Sequence, residues 1–172
     1  FLAVCDVTFA QDATPTPNPE TDEATPEPTP PPSDTVVYGE VDGQELILDV
    51  YLPDDDGEGP LPAVILIHGG AGKFGERAVE ADRARGLAAK GYVAFNIDYR
   101  LLQDDGSNAW PAQLDDAQLA VRWIRANADE YNVDPERICS LGHSFGGLLA
   151  AQLGVRDTSP DDDLPLSEYS SK

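Results

Sequence analysis

Gly142-His143-Ser144-Phe145-Gly146 constrains this chain more than any other five residues. The pattern is G-x-S-x-G, a sharp turn that carries a strand into a helix and leaves a serine at its apex. Its flanks fit that context. Arg137 to Leu141 is short and partly apolar, as a buried parallel strand is. Gly147 to Leu153 is apolar and rich in helix formers. The turn is tight, so a Cβ at Gly142 or Gly146 would crowd neighbouring backbone. A serine presented this way becomes a nucleophile only with a base and an acid, which in this arrangement follow it in chain order. The histidines of the 172 residues are His68 and His143, so none follows Ser144.

A second motif lies upstream. Ala63 to Ile67 is an unbroken apolar run, the pattern of a strand buried on both faces. His68-Gly69-Gly70-Ala71-Gly72 follows directly and approximates an HGGG-type loop. Glycines there let backbone N–H groups approach a developing negative charge. The expected oxyanion donors are the N–H groups of Gly70, Ala71 and Phe145. His68, Gly69, Gly142 and Gly146 support the two turns. Ala71 stands where a third consecutive glycine is common, yet it still supplies an N–H.

The same loop admits a rival. Gly70-Ala71-Gly72-Lys73-Phe74-Gly75 matches G-x-G-x-x-G, and Asp98 ends the next strand, where an acidic ribose ligand belongs. Against a dinucleotide site stand His68-Gly69, which separate the strand from the first fingerprint glycine. Two candidate strands also precede the fingerprint strand, and the elbow at Ser144 is left unexplained. Phe74 stands where a phosphate loop needs Ser or Thr.

Charge excludes further classes. With 11 Lys+Arg against 32 Asp+Glu, the net charge is −21, so neither nucleic acid nor an anionic membrane is an expected partner. No metal site, cofactor or disulfide framework is expected from two histidines and two cysteines. No transmembrane span is expected. Residues 1–10 read as the end of an export signal, either cleaved after Ala10 or acylated at Cys5. Residues 11–35 alternate Pro with Thr and acids and form an extended, disordered tether. The two segments together fit an exported protein held away from a cell surface.

The expected folded domain covers residues 36–155, followed by an acidic tail at 156–172. Val36 to Tyr38 and Glu45 to Leu52 read as strands joined by a turn at Asp42-Gly43. Ala81, Ala84, Leu87 and Ala88 recur at helical spacing before Gly91, and Tyr92 to Ile97 is a strand. Leu114, Ala117, Val121, Ile124 and Ala128 mark a helix from about Ala112 to Asp129. Asn132 to Pro135 reads as a break before the elbow strand. Two strands and then strand–helix alternation predict an α/β class with a mainly parallel sheet and flanking helices.

His68-Gly69-Gly70, Asp98-Tyr99-Arg100-Leu101, Asp134-Pro135-Glu136-Arg137-Ile138 and Gly142 to Gly147, taken in this order, resemble the α/β-hydrolase fold. The nearest branch is that of secreted carboxylesterases related to feruloyl and acetylxylan esterases and to the hormone-sensitive lipase group. The resemblance covers Val36 to Gly154. It implies an ester substrate, small or polysaccharide-linked, and an acyl-serine intermediate. It also implies that these residues are the N-terminal part of the fold, roughly five of eight strands, with the triad acid and histidine beyond Lys172. Asp157, Asp161, Asp162 and Asp163 come too soon after the elbow helix to be that acid, and His143 occupies a variable motif position. Three readings stay open: a piece of an exported serine esterase, an inactive hydrolase-like binding protein, and a dinucleotide binder.

Overall fold

The computed structural model describes residues 30–54, 57, 59–156, 166 and 168–171. The export-signal segment, most of the tether and the four tail aspartates lie outside the described residues. Five strands and three helices follow in the order β1 (Asp34–Val41), β2 (Gln44–Tyr51), β3 (Leu61–Ile67), α1 (Ala81–Ala88), β4 (Val93–Ile97), α2 (Ala112–Ala126), β5 (Val133–Gly142) and α3 (Phe145–Val155). A 3-10 turn, Arg77–Glu80, leads into α1.

The strands lie in the order β1-β2-β4-β3-β5. β1 and β2 are antiparallel and joined by Asp42-Gly43, both with positive φ (53° and 78°). That pair of left-handed residues matches the right-handed twist of a two-residue hairpin. β2 is antiparallel to β4, while β3 is parallel to both β4 and β5. The sheet is thus mixed at its β1–β2 side and parallel elsewhere, as the alternation of elements predicts.

Period-two alternation explains why β3 is apolar throughout. Ala63, Ile65 and Ile67 pack with Leu114, Ala117, Val121 and Ile124 of α2 and with Leu149 and Leu153 of α3. Val64 and Leu66 pack on the opposite face with Ala84, Leu87 and Ala88 of α1. Helices cover both faces, so Ala63 to Ile67 are all buried. No helix among the described residues is long and apolar enough to cross a membrane.

Three expectations are corrected. The break expected at Asn132 to Pro135 lies partly within β5: Val133 already pairs with Leu61, and the register shifts before Ile138 pairs with Ala63. Asp134 Oδ1 accepts the Glu136 N–H at 3.0 Å, so a local side-chain turn absorbs the proline without ending the strand. The α2 helix stops at Ala126, three residues early, because Asn127 Nδ2 takes the Trp123 carbonyl and the chain tightens into turns up to Val133. Cys139, read as outside any disulfide framework, is disulfide-bonded; Cys5 lies outside the described residues.

Two buried tyrosines tie the layers together. Tyr38 donates to the Asp98 carbonyl at 2.6 Å, and Tyr99 donates to the His68 carbonyl at 3.0 Å. Burial, reinforced by the charge of Asp98, pushes the Tyr99 phenol up to about 12. Burial, with Glu130 and Asp34 nearby, does the same for Tyr131. The unfolded chain releases these protons near pH 10, whereas the folded chain holds them to about 12. Their stabilising contribution is therefore complete below pH 10 and lost as pH rises through 12. The melting temperature should fall over that window, and Tyr131→Phe should flatten the fall; an unchanged slope in the variant would contradict the assignment.

Glycines separate by what surrounds them. A Cβ on Gly86, in α1, meets nothing within 4 Å. A Cβ on Gly146 would sit far inside van der Waals contact with the Ile67 carbonyl oxygen. Gly86→Ala should stabilise by up to about 1 kcal/mol. Gly146→Ala should destabilise by about 3 kcal/mol, the upper range of overpacking. Equal effects in denaturant melts would show that the elbow tolerates a side chain.

Candidate active site

Neighbouring parallel strands send their chains to opposite faces here. β3 leads toward the face carrying α1, and β5 leads toward the face carrying α2 and α3. Their carboxyl ends therefore mark the place in the topology where open α/β sheets bind ligands. The His68–Gly75 loop stands on one side of it and the elbow on the other.

The elbow is strained. Ser144 has φ 54° and ψ −117°, a left-handed conformation in a residue that carries a Cβ. Such a conformation costs of order 1–3 kcal/mol and persists only where the surroundings over-determine it. Here they do. A Cβ on Gly142 would strike the Gly146 carbonyl, and Gly146 lies on the ends of Ile67 and His68. The Gly146 N–H bonds the His143 carbonyl at 3.0 Å and the Leu148 N–H bonds the Ser144 carbonyl at 3.1 Å, closing the first turn of α3. Ser144 itself is exposed at the head of that helix.

The facing loop comes close. A Cβ on Gly69 would lie 2.9 Å from His143 Nδ1 and 3.4 Å from Ser144 Cβ, so only glycine lets the loop reach the serine. Gly70, Ala71 and Gly72 follow with φ of 114°, 54° and 71°. Such a run of positive φ makes the loop turn tightly, and glycine at two of the three positions lets it do so without strain. Among the described residues, no hydrogen bond uses the N–H of Gly70, Ala71 or Phe145. These three N–H groups thus lie unengaged in the loop and the helix start that meet where Gly69 approaches Ser144 and Gly72 touches Phe145. Phe145 adds the amino end of α3, whose dipole favours negative charge.

His68 is a support and not a base. It is 1% exposed, and its ring stacks on Tyr99 with centroids 4.3 Å apart. Nδ1 lies 2.7 Å from the Gly69 carbonyl, which assigns the proton to Nδ1. Nε2 lies 3.9 Å from Asp98 Oδ1. His143 is exposed and makes no hydrogen bond to Ser144 among the described residues. Neither histidine of the 172 residues hydrogen-bonds Ser144 among the described residues.

Asp98 was the dinucleotide rival's ribose ligand, and its carboxylate is already committed. Oδ1 accepts the Arg77 N–H at 2.6 Å, and Oδ2 accepts Arg77 Nη1. The Gly70–Gly75 segment packs on Phe145 through Gly72 and on His68 through Gly75, and it enters a 3-10 turn in place of an open helix end. With Asp98 engaged by Arg77 and a 3-10 turn where the fingerprint needs an open helix end, the dinucleotide reading is set aside.

Two polar pairs escaped the sequence reading. Arg100 holds Asp116 through Nε, Nη2 and its own N–H at 2.7–3.0 Å, and Asp116 is 1% exposed. Arg77 holds Asp98 as described. Asp98 and Arg100 stand in a recognised motif, but Arg77 and Asp116 carry no local signal; only their spacing from a helix stripe could have flagged Asp116. A cleft of about 520 Å3 opens beside the loop, lined by Lys73, Phe74, Leu102, Gln103, Asp104 and Asp105. Ser144 is not among its lining residues. Among the described residues, no cluster of three or more His, Cys, Asp or Glu could hold a metal ion.

The chain is similar to known proteins in sequence and fold. The model of the BD-FAE family matches residues 48–172. Esterase LipC of Mycobacterium tuberculosis is 35% identical over 136 residues, which cover 78% of this chain and 32% of LipC. The non-reducing polyketide synthase stbA of Stachybotrys bisbyi is 35% identical over 124 residues, 68% of this chain and 6% of the synthase. The apo form of Thermogutta terrifontis esterase 2 superposes with a TM-score of 0.70 at 31% identity, covering 84% of this chain and 54% of that one. The chain spans about a third of LipC and about half of the Thermogutta esterase. With its strand order, its elbow and this match in hand, the chain belongs to the BD-FAE family and carries the α/β-hydrolase fold.

Proposed function

We propose that the whole protein hydrolyses carboxylic esters through Ser144. The observation that carries the reading is the strained, exposed Ser144 placed against the unengaged N–H groups of Gly70, Ala71 and Phe145. A strained serine at the apex of a turn, beside N–H groups without a partner among the described residues, fits a functional turn better than a merely structural one. Two of the similar proteins named above are esterases.

The reaction runs as acyl transfer. Ser144 Oγ attacks the ester carbonyl carbon while a histidine outside residues 1–172 takes its proton, oriented by an acid also outside them. The carbonyl oxygen gains the negative charge and accepts the N–H groups of Gly70, Ala71 and Phe145. The C–O bond then breaks, and the histidine returns the proton to the alcohol. Water repeats the sequence on the acyl-serine and frees the acid. The substrate is an ester of a small or polysaccharide-linked alcohol, and the apolar N-terminus with its tether supports an exported or surface-held protein. Recovery of the protein from the cytoplasm alone would contradict the location.

Two substitutions at one position test the mechanism. Ser144→Ala in the whole protein should lower kcat for an ester at least about 10,000-fold; undiminished hydrolysis would remove the serine from the mechanism. Ser144→Gly should be equally inactive yet melt higher than Ser144→Ala by about 1 kcal/mol, because glycine adopts this φ without strain. Equal melting of the two variants would show that the elbow stores no strain.

A further inference from the structure

We infer that Arg77 is a positioning residue for the oxyanion loop, a role that deepens the proposed function and rests on it for its catalytic consequence. The loop cannot hold its own shape. Gly70, Ala71, Gly72 and Gly75 all have positive φ, and the hydrogen bonds internal to it are Lys73 N–H and Phe74 N–H to the Gly70 carbonyl. A segment this rich in glycine has much conformational freedom to lose. One bond from outside holds its middle, where the Leu102 N–H donates to the Gly72 carbonyl at 2.8 Å; the rest of its geometry is set at its two ends, where it meets the sheet.

The loop is gripped on both sides by two adjacent residues. At its entry, Tyr99 donates to the His68 carbonyl and stacks on the His68 ring. At its exit stands Arg77, held at four points. Its N–H and its Nη1 donate to the two oxygens of Asp98. Its carbonyl accepts Asn96 Nδ2 at 2.6 Å. Its Nε lies 3.0 Å from Asp49 Oδ2, a charge contact poorly aligned for hydrogen bonding. Asp49 belongs to β2 and Asn96 to β4, while Asp98 follows β4 directly. The Asp98 N–H is bonded in turn to Ile47 of β2. One arginine therefore fastens the end of the loop to two strands at once, between the sheet and the donors of Gly70 and Ala71.

Arginine suits the task because its planar fork can address two carboxylates while the backbone is held separately. Lysine carries a point charge with three donors on a flexible stem and lacks the fixed fork, so it holds the two carboxylates less rigidly. The side chains of Arg77, Asp98 and Asp49 are 25%, 30% and 11% exposed, so the cluster is half-shielded from water and stiffer than a surface pair. Loosening it should not remove a substrate contact. It should let the loop donors wander, and a misplacement of about 1 Å in a catalytic group costs on the order of 100-fold in rate.

The test compares Arg77→Gln, Arg77→Lys and the control Arg137→Gln, which breaks a pair with Asp134 at the far end of β5. Hydrogen exchange is followed for the peptide spanning residues 68–76 in each protein, and kcat and KM are measured for an ester in the whole protein. The expected result is faster exchange of that peptide in Arg77→Gln, with the sheet unchanged. It includes kcat lowered roughly tenfold to 100-fold at a KM within about twofold, with Arg77→Lys between Arg77→Gln and the parent and Arg137→Gln like the parent. Unchanged exchange in 68–76, or a rate loss that only tracks loss of folded protein, overturns the inference. If the parent turns over no ester, the proposed function fails, and the exchange comparison alone decides whether Arg77 pins the loop.

Discussion

Main chain lies against main chain where β3 meets the elbow, and the rest of the site depends on that approach. Gly146 rests on the carbonyls of Ile67 and His68, and Gly142 rests on Gly146. No side chain fits between them, so the turn can be sharp enough to hold Ser144 at a positive φ. The same closeness brings Gly69 against Ser144 and gives the loop after β3 its place opposite the serine. Packing of Leu149 and Leu153 beneath α3 keeps that helix seated, which is where the strain at Ser144 is offset.

Shape at the site comes from backbone, but its permanence comes from side-chain polar ties. Asp98, Tyr99 and Arg100 are consecutive, and each fastens a different piece. Asp98 takes Arg77 at the exit of the loop that follows β3, and Tyr99 takes the carbonyl of His68 at its entry. Arg100 takes Asp116 of α2. A buried pair such as Arg100–Asp116 adds little net stability over an apolar pair, yet losing one partner costs about 3–5 kcal/mol. Its value is in fixing where α2 sits relative to β4, and through that the floor under the site.

Much of this was legible in the residues. The G-x-S-x-G turn with its flanking patterns located the elbow, and the apolar run before His68-Gly69-Gly70 located the facing loop. Five strands were expected before Ser144, and five are found. Edges were less legible. Proline at 135 reads as a break, yet a strand can carry it where that strand itself bulges, and only the pairing of Val133 with Leu61 reveals that. Arg77 was silent because its role depends on Asp49 and Asp98, 28 and 21 positions away in sequence. Long-range charge pairing has no local period, so no pattern of spacing announces it. The G-x-G-x-x-G match failed for the converse reason: it is local, and the tertiary structure spends its glycines on contacts with Phe145 and His68.

The central claim is that Ser144 is the nucleophile of this fold. Its most direct test is to treat the whole protein with a reactive organophosphorus ester and map the adduct by peptide mass spectrometry. The account predicts one phosphoryl addition, on the peptide that carries Ser144, together with loss of ester hydrolysis in step with labelling. Continued hydrolysis with Ser144 unlabelled, or an adduct on another residue that abolishes activity, would contradict it.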